Sequence, residues 1–240
     1  MSNKQTKTLR RRRVHKRPTD TKNLIEEARL FEDIQEVRSF FKRAFDIVFS
    51  LFALVVTLPI WLTIPLLIRL TSKGKAIYAA ERMGQGGRKI YCYKFRSMYS
   101  DADVRLKSLL DNDTSLRKEW EENWKLKDDP RITPLGHFIR KTSIDEIPQF
   151  LNALKGDLSV VGPRPRVHKE LSALPSNHVK NLLTVRPGIT GLWQTSGRSQ
   201  ITLKERIDMD EAYLEKRNFF YDFYLVLKTI PVTLFSRGAC

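Results

Sequence analysis

Cysteine is nearly missing from this 240-residue chain: there are two, Cys92 and Cys240. Two thiols make no disulfide framework, and a reducing compartment is the plain inference. No cluster of the four histidines with cysteine has zinc-ligand spacing, which argues against a zinc site. No GxxxxGK[ST] loop is present and no GxGxxG follows a strand, so the familiar nucleotide-binding loops are missing as well. Acid is also scarce, with 27 Asp and Glu against 43 Lys and Arg, a net charge of +16 and a pI near 10.0. Such a balance selects anionic partners: phospholipid headgroups, phosphorylated compounds or nucleic acid. The shortage is sharpest in residues 1–22, where nine Lys/Arg face the single acid Asp20, so half of the excess charge lies in the first tenth of the chain. That arm lacks apolar periodicity and reads as disordered. It also lacks the aromatic interleaving that stacks bases, so attraction to anionic membrane lipids is favoured and no nucleic-acid partner is expected. No internal repeat is evident. One domain with an appended arm is expected, without a cleaved leader, because the apolar run begins too late and no small-residue cleavage site follows it.

Against this polar background one stretch stands out. Residues 47–68, IVFSLFALVVTLPIWLTIPLLI, are 22 residues without a charge, enough to cross the ~30 Å core of a bilayer as one helix. Pro59 sits near the middle and Pro65 follows, and each tends to kink or break a helix. Split at Pro59, the first half reaches only about 18 Å. Lys42 and Arg43 precede the run and Arg69, Lys73 and Lys75 follow it. Basic residues favour the cytoplasmic side, so a helix–break–helix hairpin keeps both flanks on one face, whereas an ordinary kinked span would not. Both readings stand at this point. Backbone freed at a break must find partners within the protein, and Thr57 is a candidate. Ahead of the run, residues 23–41 place Leu24, Ala28, Phe31 and Ile34 at the spacing of an amphipathic helix.

Beyond the run, residues 76–98 alternate in places around Gly84-Gln85-Gly86-Gly87 and predict two short strands joined by that turn. Residues 100–127 are charged and helical in pattern, and residues 203–216 predict a helix. Residues 219–235, FFYDFYLVLKTIPVTLF, combine aromatic rings with flanking Arg217 and Arg237. This suits either the headgroup level of a membrane or a core helix ending at Pro231.

The densest chemistry lies in residues 129–166, DPRITPLGHFIRKTSIDEIPQFLNALKGDLSVVGPRPR. Asp145 and Glu146 are adjacent at its centre. The plain reading is a helix cap: Ser143-x-x-Glu146 fits a capping box, or Asp145 is the N-cap of a helix starting later, since Pro148 disfavours the earlier start. The surroundings offer another. Arg131, Arg140, Lys141, Arg164 and Arg166 cluster nearby, several beside glycine or proline turns, and Arg186-Pro187-Gly188 and Gly197-Arg198 add a second rigid basic turn. Guanidinium forks match phosphate oxygens. A carboxylate pair among fixed arginines suits phosphoryl transfer, one carboxylate attacking phosphorus and the other helping to hold a hard divalent cation.

In order along the chain stand FKRAFDIVFS, a mid-membrane proline, ERMGQGG, YKFRSM, DPRIT, RKTSIDEIPQF, LKGDLSVVGPRPR and VRPGITGLWQTSGR. From Phe40 onward the sequence resembles the bacterial sugar transferases known as monotopic phosphoglycosyl transferases, or polyprenyl-phosphate sugar-1-phosphate transferases. The resemblance implies an α+β fold, mostly helical and monotopic, with a re-entrant hairpin (residues 42–72), amphipathic interface helices, a small β element and a catalytic domain (residues 73–240) at the cytoplasmic face of the bacterial inner membrane. It implies a UDP-sugar donor, a polyprenyl phosphate acceptor and Mg2+ as cofactor. By position, Asp145 matches the nucleophile, Glu146 the magnesium-associated acid and Pro59 the helix-breaking proline. Arg140, Arg164 and Arg186 match motif arginines assigned to phosphate contacts. Lys94, Arg96 and Arg198 join this substrate-binding set, and Asp210 falls at an acidic position near the site. Asp145 is expected to be ionised without special help, since an ordinary carboxylate titrates near 3.9. The segment 117–133 resembles the branch that transfers hexose phosphates. Departures are small: Leu58 stands where the residue before the membrane proline is often Ser, and Lys75 and Ala80 replace a Pro and a Gln. The chain reads as the minimal catalytic unit with a basic arm, and the residues leave a homodimer open.

Overall fold

The computed structural model describes residues 40–123, 126–196 and 201–234. The basic arm, nearly all of the expected helix over 23–41, and Arg198 lie outside the described residues. Helix α1 (Phe40–Val56) and helix α2 (Leu58–Thr71) come first, followed by strands β1 (Ile77–Met83) and β2 (Lys89–Phe95). Two exposed helices follow, α3 (Ala102–Asn112) and α4 (Thr114–Asn123), then α5 (Pro134–Lys141), a single 3-10 turn at Ile144–Glu146, and α6 (Gln149–Lys155). Strand β3 (Ser159–Val161), helices α7 (His168–Ser172) and α8 (Ser176–Leu183), and strand β4 (Gly188–Thr190) lead to α9 (Leu203–Lys216) and α10 (Phe219–Leu234). The architecture is α+β and mainly helical, with two small sheets.

The break between α1 and α2 falls at Thr57, where the two axes bend by 62°. Pro59 sits in the first turn of α2, where its missing N–H costs nothing. Thr57 does what Leu58 cannot: its hydroxyl donates to the carbonyl of Ala53 at 2.7 Å, and its own carbonyl accepts from the N–H groups of Ile60 and Trp61 at 2.9 and 3.1 Å. Pro65 is accommodated inside α2. Among the described residues no single helix is long and apolar enough to cross a membrane, while this bent pair is so by length and composition.

Both ends of the pair root in the same body. At the start of α1, Arg43 donates to the carbonyls of Ala153 and Leu154 at 2.6 and 2.7 Å. The fully buried Asp46 accepts from the Val160 N–H and the Ser159 hydroxyl, both at 3.0 Å. Lys42 bridges Asp46 and Asp222 at 3.3 and 2.7 Å. At the other end, Ile64 and Ile68 of α2 pack with Phe95 and Ile139, and Trp61 meets the Phe95 ring edge-on. Between the two roots the surface is apolar and exposed: Val48, Phe52, Val55, Leu58, Leu62 and Leu66 all face outward.

The β1–β2 hairpin forms as its alternation predicts, antiparallel with Met83 opposite Lys89, and Gly86 and Gly87 take the positive φ its turn requires. Asn152, wholly buried on α6, continues the ladder in place of a third strand. Its Oδ1 accepts from the Tyr93 N–H and its Nδ2 donates to the Tyr91 carbonyl, both at 2.8 Å. Strands β3 and β4 pair in parallel, Ser159 beside Gly188 and Val161 beside Thr190. The sequence predicts α9 over its whole length, and a capping box between Thr202 and Glu205 explains its start. Helix α10 runs through Pro231 rather than ending there. Leu225 and Val226 on it are core, while Phe220, Phe223, Tyr224 and Leu227 form an exposed apolar face.

Candidate active site

Neither capping reading of the carboxylate pair survives. Ser143 makes no side-chain cap, and α6 starts only at Gln149, with Pro148 before it. Asp145 and Glu146 instead occupy the isolated 3-10 turn, entered through Ser143 in the left-handed region at φ 58°. A non-glycine residue there costs about 1 kcal/mol or more and commonly marks a functional turn. The turn lies beside β2, and Lys94 reaches from that strand to both carboxylates: 2.8 Å to Glu146 Oε1 and 3.4 Å to Asp145 Oδ2. Asp145 is recessed and buried, and Glu146 is the more open of the two.

The expectation of an ordinary titration for Asp145 needs correcting. Burial pushes its pKa up and the charge of Glu146 adds to this, while Lys94 and Arg140 pull it down without cancelling the rise. Burial works against the Lys94 ammonium too, yet the two carboxylates raise its pKa above the usual lysine value. The three groups form one mutually dependent charge cluster in a poorly hydrated pocket.

A shallow open cleft lies over this cluster, lined by Arg82, Cys92, Lys94, Glu146, Gln149, Arg164, Pro165, Ile189 and Gln194. Arg164 stands at its rim on the Gly162-Pro163-Arg164 turn. Arg186 sits on the neighbouring Arg186-Pro187-Gly188 turn, and these two turns touch through bare backbone: a Cβ on Gly188 would lie 2.0 Å from the Gly162 nitrogen. The structure therefore places Lys94, Glu146 and Arg164 on one cleft, with Asp145 directly behind it and Arg140 close enough for its charge to act on Asp145.

Other residues singled out in the sequence have different duties. Arg96 is engaged at the end of α2, donating to the Ser72 carbonyl and hydroxyl at 3.1 and 2.9 Å. Arg131 forms a buried two-pronged pair with Asp129 at 2.8 and 2.6 Å and lies over Trp120, so the DPRIT stretch is structural. Asp210 is buried under the second arginine of the GPRPR turn, accepting from Arg166 at 2.9 Å. A backbone bond from Arg164 also reaches it, although burial still raises its pKa to about 6. It supports the turn rather than facing the cleft. The sequence reading missed Gln149 and Gln194, which line the cleft; no spacing signal distinguishes them. It named Lys42 and Arg43 only as basic flanks of the apolar run and missed Asp46 and Ser159, which anchor the same end of α1, although FKRAFD stood out as a motif.

With this geometry in hand, the match over residues 37–236 to the family described as bacterial sugar transferase is decisive. The chain belongs to that family. Among its relatives is an undecaprenyl-phosphate galactose phosphotransferase of Salmonella typhimurium strain LT2, 46% identical over 201 residues, covering 83% of this chain and 42% of the relative. The exopolysaccharide production protein ExoY of Sinorhizobium fredii is 37% identical over 206 residues, covering 86% of this chain and 91% of the relative. An undecaprenyl-phosphate glucose phosphotransferase of Komagataeibacter xylinus is 32% identical over 213 residues, covering 82% and 36%. The chain thus spans less than half of some relatives and nearly all of ExoY. The cleft where the carboxylate pair, Lys94 and Arg164 come together is the candidate site for the chemistry that the family's description denotes. Among the described residues no group of three or more His, Cys, Asp or Glu gathers to cage a metal.

Proposed function

We propose that this bacterial sugar transferase moves a sugar 1-phosphate, a hexose phosphate in particular, from a UDP-sugar to a polyprenyl phosphate such as undecaprenyl phosphate. The observation that carries the reading is the recessed Asp145–Glu146–Lys94 cluster opening onto an arginine-rimmed cleft. An Asp145 oxygen attacks the sugar-bearing phosphorus. The bond to the bridging oxygen breaks, UMP departs with that oxygen, and an aspartyl phosphosugar remains. A phosphate oxygen of the lipid then attacks the same phosphorus, the acyl phosphate bond breaks, and Asp145 is restored as a carboxylate beside a polyprenyl diphosphate sugar. Lys94 keeps Asp145 charged enough to attack and steadies it as a leaving group, while Arg164, Arg140 and Arg186 offset the phosphate charge. The donor set suits magnesium, which accepts one or two carboxylates together with substrate phosphates and water. Glu146, the more open carboxylate, would hold it, and the ion would supply further neutralisation of phosphate charge.

The placement of this chemistry follows from the bent pair. We infer that α1 and α2 enter one leaflet of the cytoplasmic membrane and return, because both ends are rooted in one body on one side of the exposed apolar surface. The exposed face of α10 continues that surface through the Phe45–Phe219 ring contact, and the excess positive charge favours anionic headgroups on the same side. The lipid phosphate then lies at the height of the cleft. Detergent-solubilised protein with magnesium and a panel of UDP-sugars is expected to release UMP, and Asp145→Asn to lose at least 1,000-fold in rate. Full turnover by that variant would remove the assigned nucleophile.

A further inference from the structure

At the edge of the cleft stands an arginine arrangement of which the transfer steps above use only Arg164. Trp193, buried in the 3-10 turn after β4, carries two guanidinium groups on its indole: Arg164 at 5.7 Å and Arg206 at 4.9 Å from the ring centre. Arg206 comes from α9, distant in sequence from the GPRPR turn. A third guanidinium, Arg166, stands close enough for its charge, like that of Arg164, to press on Arg206. Burial contributes most to lowering the Arg206 pKa, and these two like charges add to it. The acids near this trio are Asp210 and Glu170. Asp210 is committed to Arg166, and the Nε–H of Arg206 donates to the Ile201 carbonyl at 2.9 Å, which fixes this guanidinium beside the other two. The stack holds two guanidinium planes together against their repulsion, which is unfavourable in an empty site and favourable around an anion. The Trp193 Nε1–H and the Gln194 Oε1 are both buried without a hydrogen-bond partner among the described residues, and Gln194 lines the same cleft as Arg164, Lys94 and Glu146.

We propose that Arg206 and Arg164, held against Trp193, form a second phosphate subsite that grips the phosphate monoester not under attack at Asp145. This rests on reading the cleft as a sugar-phosphate transfer site. Two phosphates have the required chemistry: that of the departing nucleotide and that of the lipid acceptor. The subsite accounts for Arg206 as a binding residue, one that the sequence motifs did not mark.

The test uses the full chain in detergent, comparing Arg206→Gln and Arg206→Lys with the parent. Calorimetric binding of inorganic phosphate and of UMP is measured alongside KM for the UDP-sugar and for polyprenyl phosphate. Arg206→Gln is expected to weaken phosphate binding or raise one KM at least 10-fold with kcat changed less than threefold, and Arg206→Lys to fall between, since it keeps the charge and loses the fork. A rise confined to the donor KM assigns the subsite to the nucleotide phosphate; a rise confined to the acceptor KM assigns it to the lipid. If Arg206→Gln does not fold, Arg206→Lys carries the same comparison. A folded variant with both KM values and phosphate affinity unchanged, or one that loses only kcat, overturns the subsite while leaving the transferase reading intact. If the parent releases no UMP from any UDP-sugar, the transferase reading fails, and the phosphate titration still decides whether the subsite exists.

Discussion

Lys94 is the residue on which the carboxylate pair depends. One ammonium serves two carboxylates at 2.8 and 3.4 Å, in a pocket where burial raises the Asp145 pKa. Removing it leaves two like charges together with little water to separate them. Lys94→Met is therefore expected to cut UMP release about 100-fold, the scale of losing one preorganised charge contact, with Lys94→Arg recovering only part; steady-state rates on detergent-solubilised protein check it. The Asp145–Glu146 pair drew notice because two adjacent acids stand amid arginines, but a helix cap was an equally plain reading: Pro148 disfavoured only the earlier helix start, and it took the fold, with α6 beginning at Gln149, to remove Asp145 as an N-cap. Arg131 and Arg96 misled for a physical reason: an arginine bound to Asp129 and one bound to Ser72 look, in one dimension, the same as an arginine waiting for phosphate. Only the fold reveals which acid or carbonyl has taken the guanidinium.

At the scale of elements, what could be read was local. The β1–β2 hairpin announced itself by alternation and glycine, α9 was expected over its whole length although the capping box that starts it went unread, and the break between α1 and α2 was marked by Pro59. The three-residue strands β3 and β4 carry too little pattern to be seen, and Asn152 completing the ladder of β2 depends on a partner some 60 residues away in sequence. The sequence marks the basic feet of α1 only as flanks that favour one side of a membrane, whereas in the fold Arg43 spends its guanidinium on the carbonyls of Ala153 and Leu154. These contacts make a topological prediction. In sealed inner-membrane vesicles, Phe41→Cys and Thr71→Cys, each with Cys240 replaced by Ser, are expected to react with an impermeant thiol reagent from the same side. Labelling from opposite sides would replace the hairpin with a kinked span. Both positions are exposed, and Cys92 is buried, so the background stays low.

Taken as a whole, the molecule carries buried carboxylates whose ionisation opposes folding. Asp210 is raised to about 6, chiefly by burial, and Asp222 is raised as well, again mainly by burial. A carboxyl held above its unfolded value of about 3.9 contributes stability that is complete below that value and lost as the pH rises through the folded one. For Asp210 the window runs from roughly 4 to 6 and the effect is on the order of 2–3 kcal/mol. Thermal unfolding in detergent should accordingly show a midpoint that falls between pH 4.5 and pH 7, with a shallower fall in Asp210→Asn, whose amide oxygen still accepts from Arg166. An equal slope in both proteins would assign the effect to other groups. The bent pair, finally, works as a plumb line of fixed length. Its legs, about 25 and 21 Å long at 1.5 Å per residue, hang from anchor points that belong to the same rigid platform. How far its tip reaches is set by the leg length beyond those anchors and by the 62° bend between the legs, so a turn added to each leg next to Thr57 would lengthen the apolar surface while leaving both sets of anchors in place.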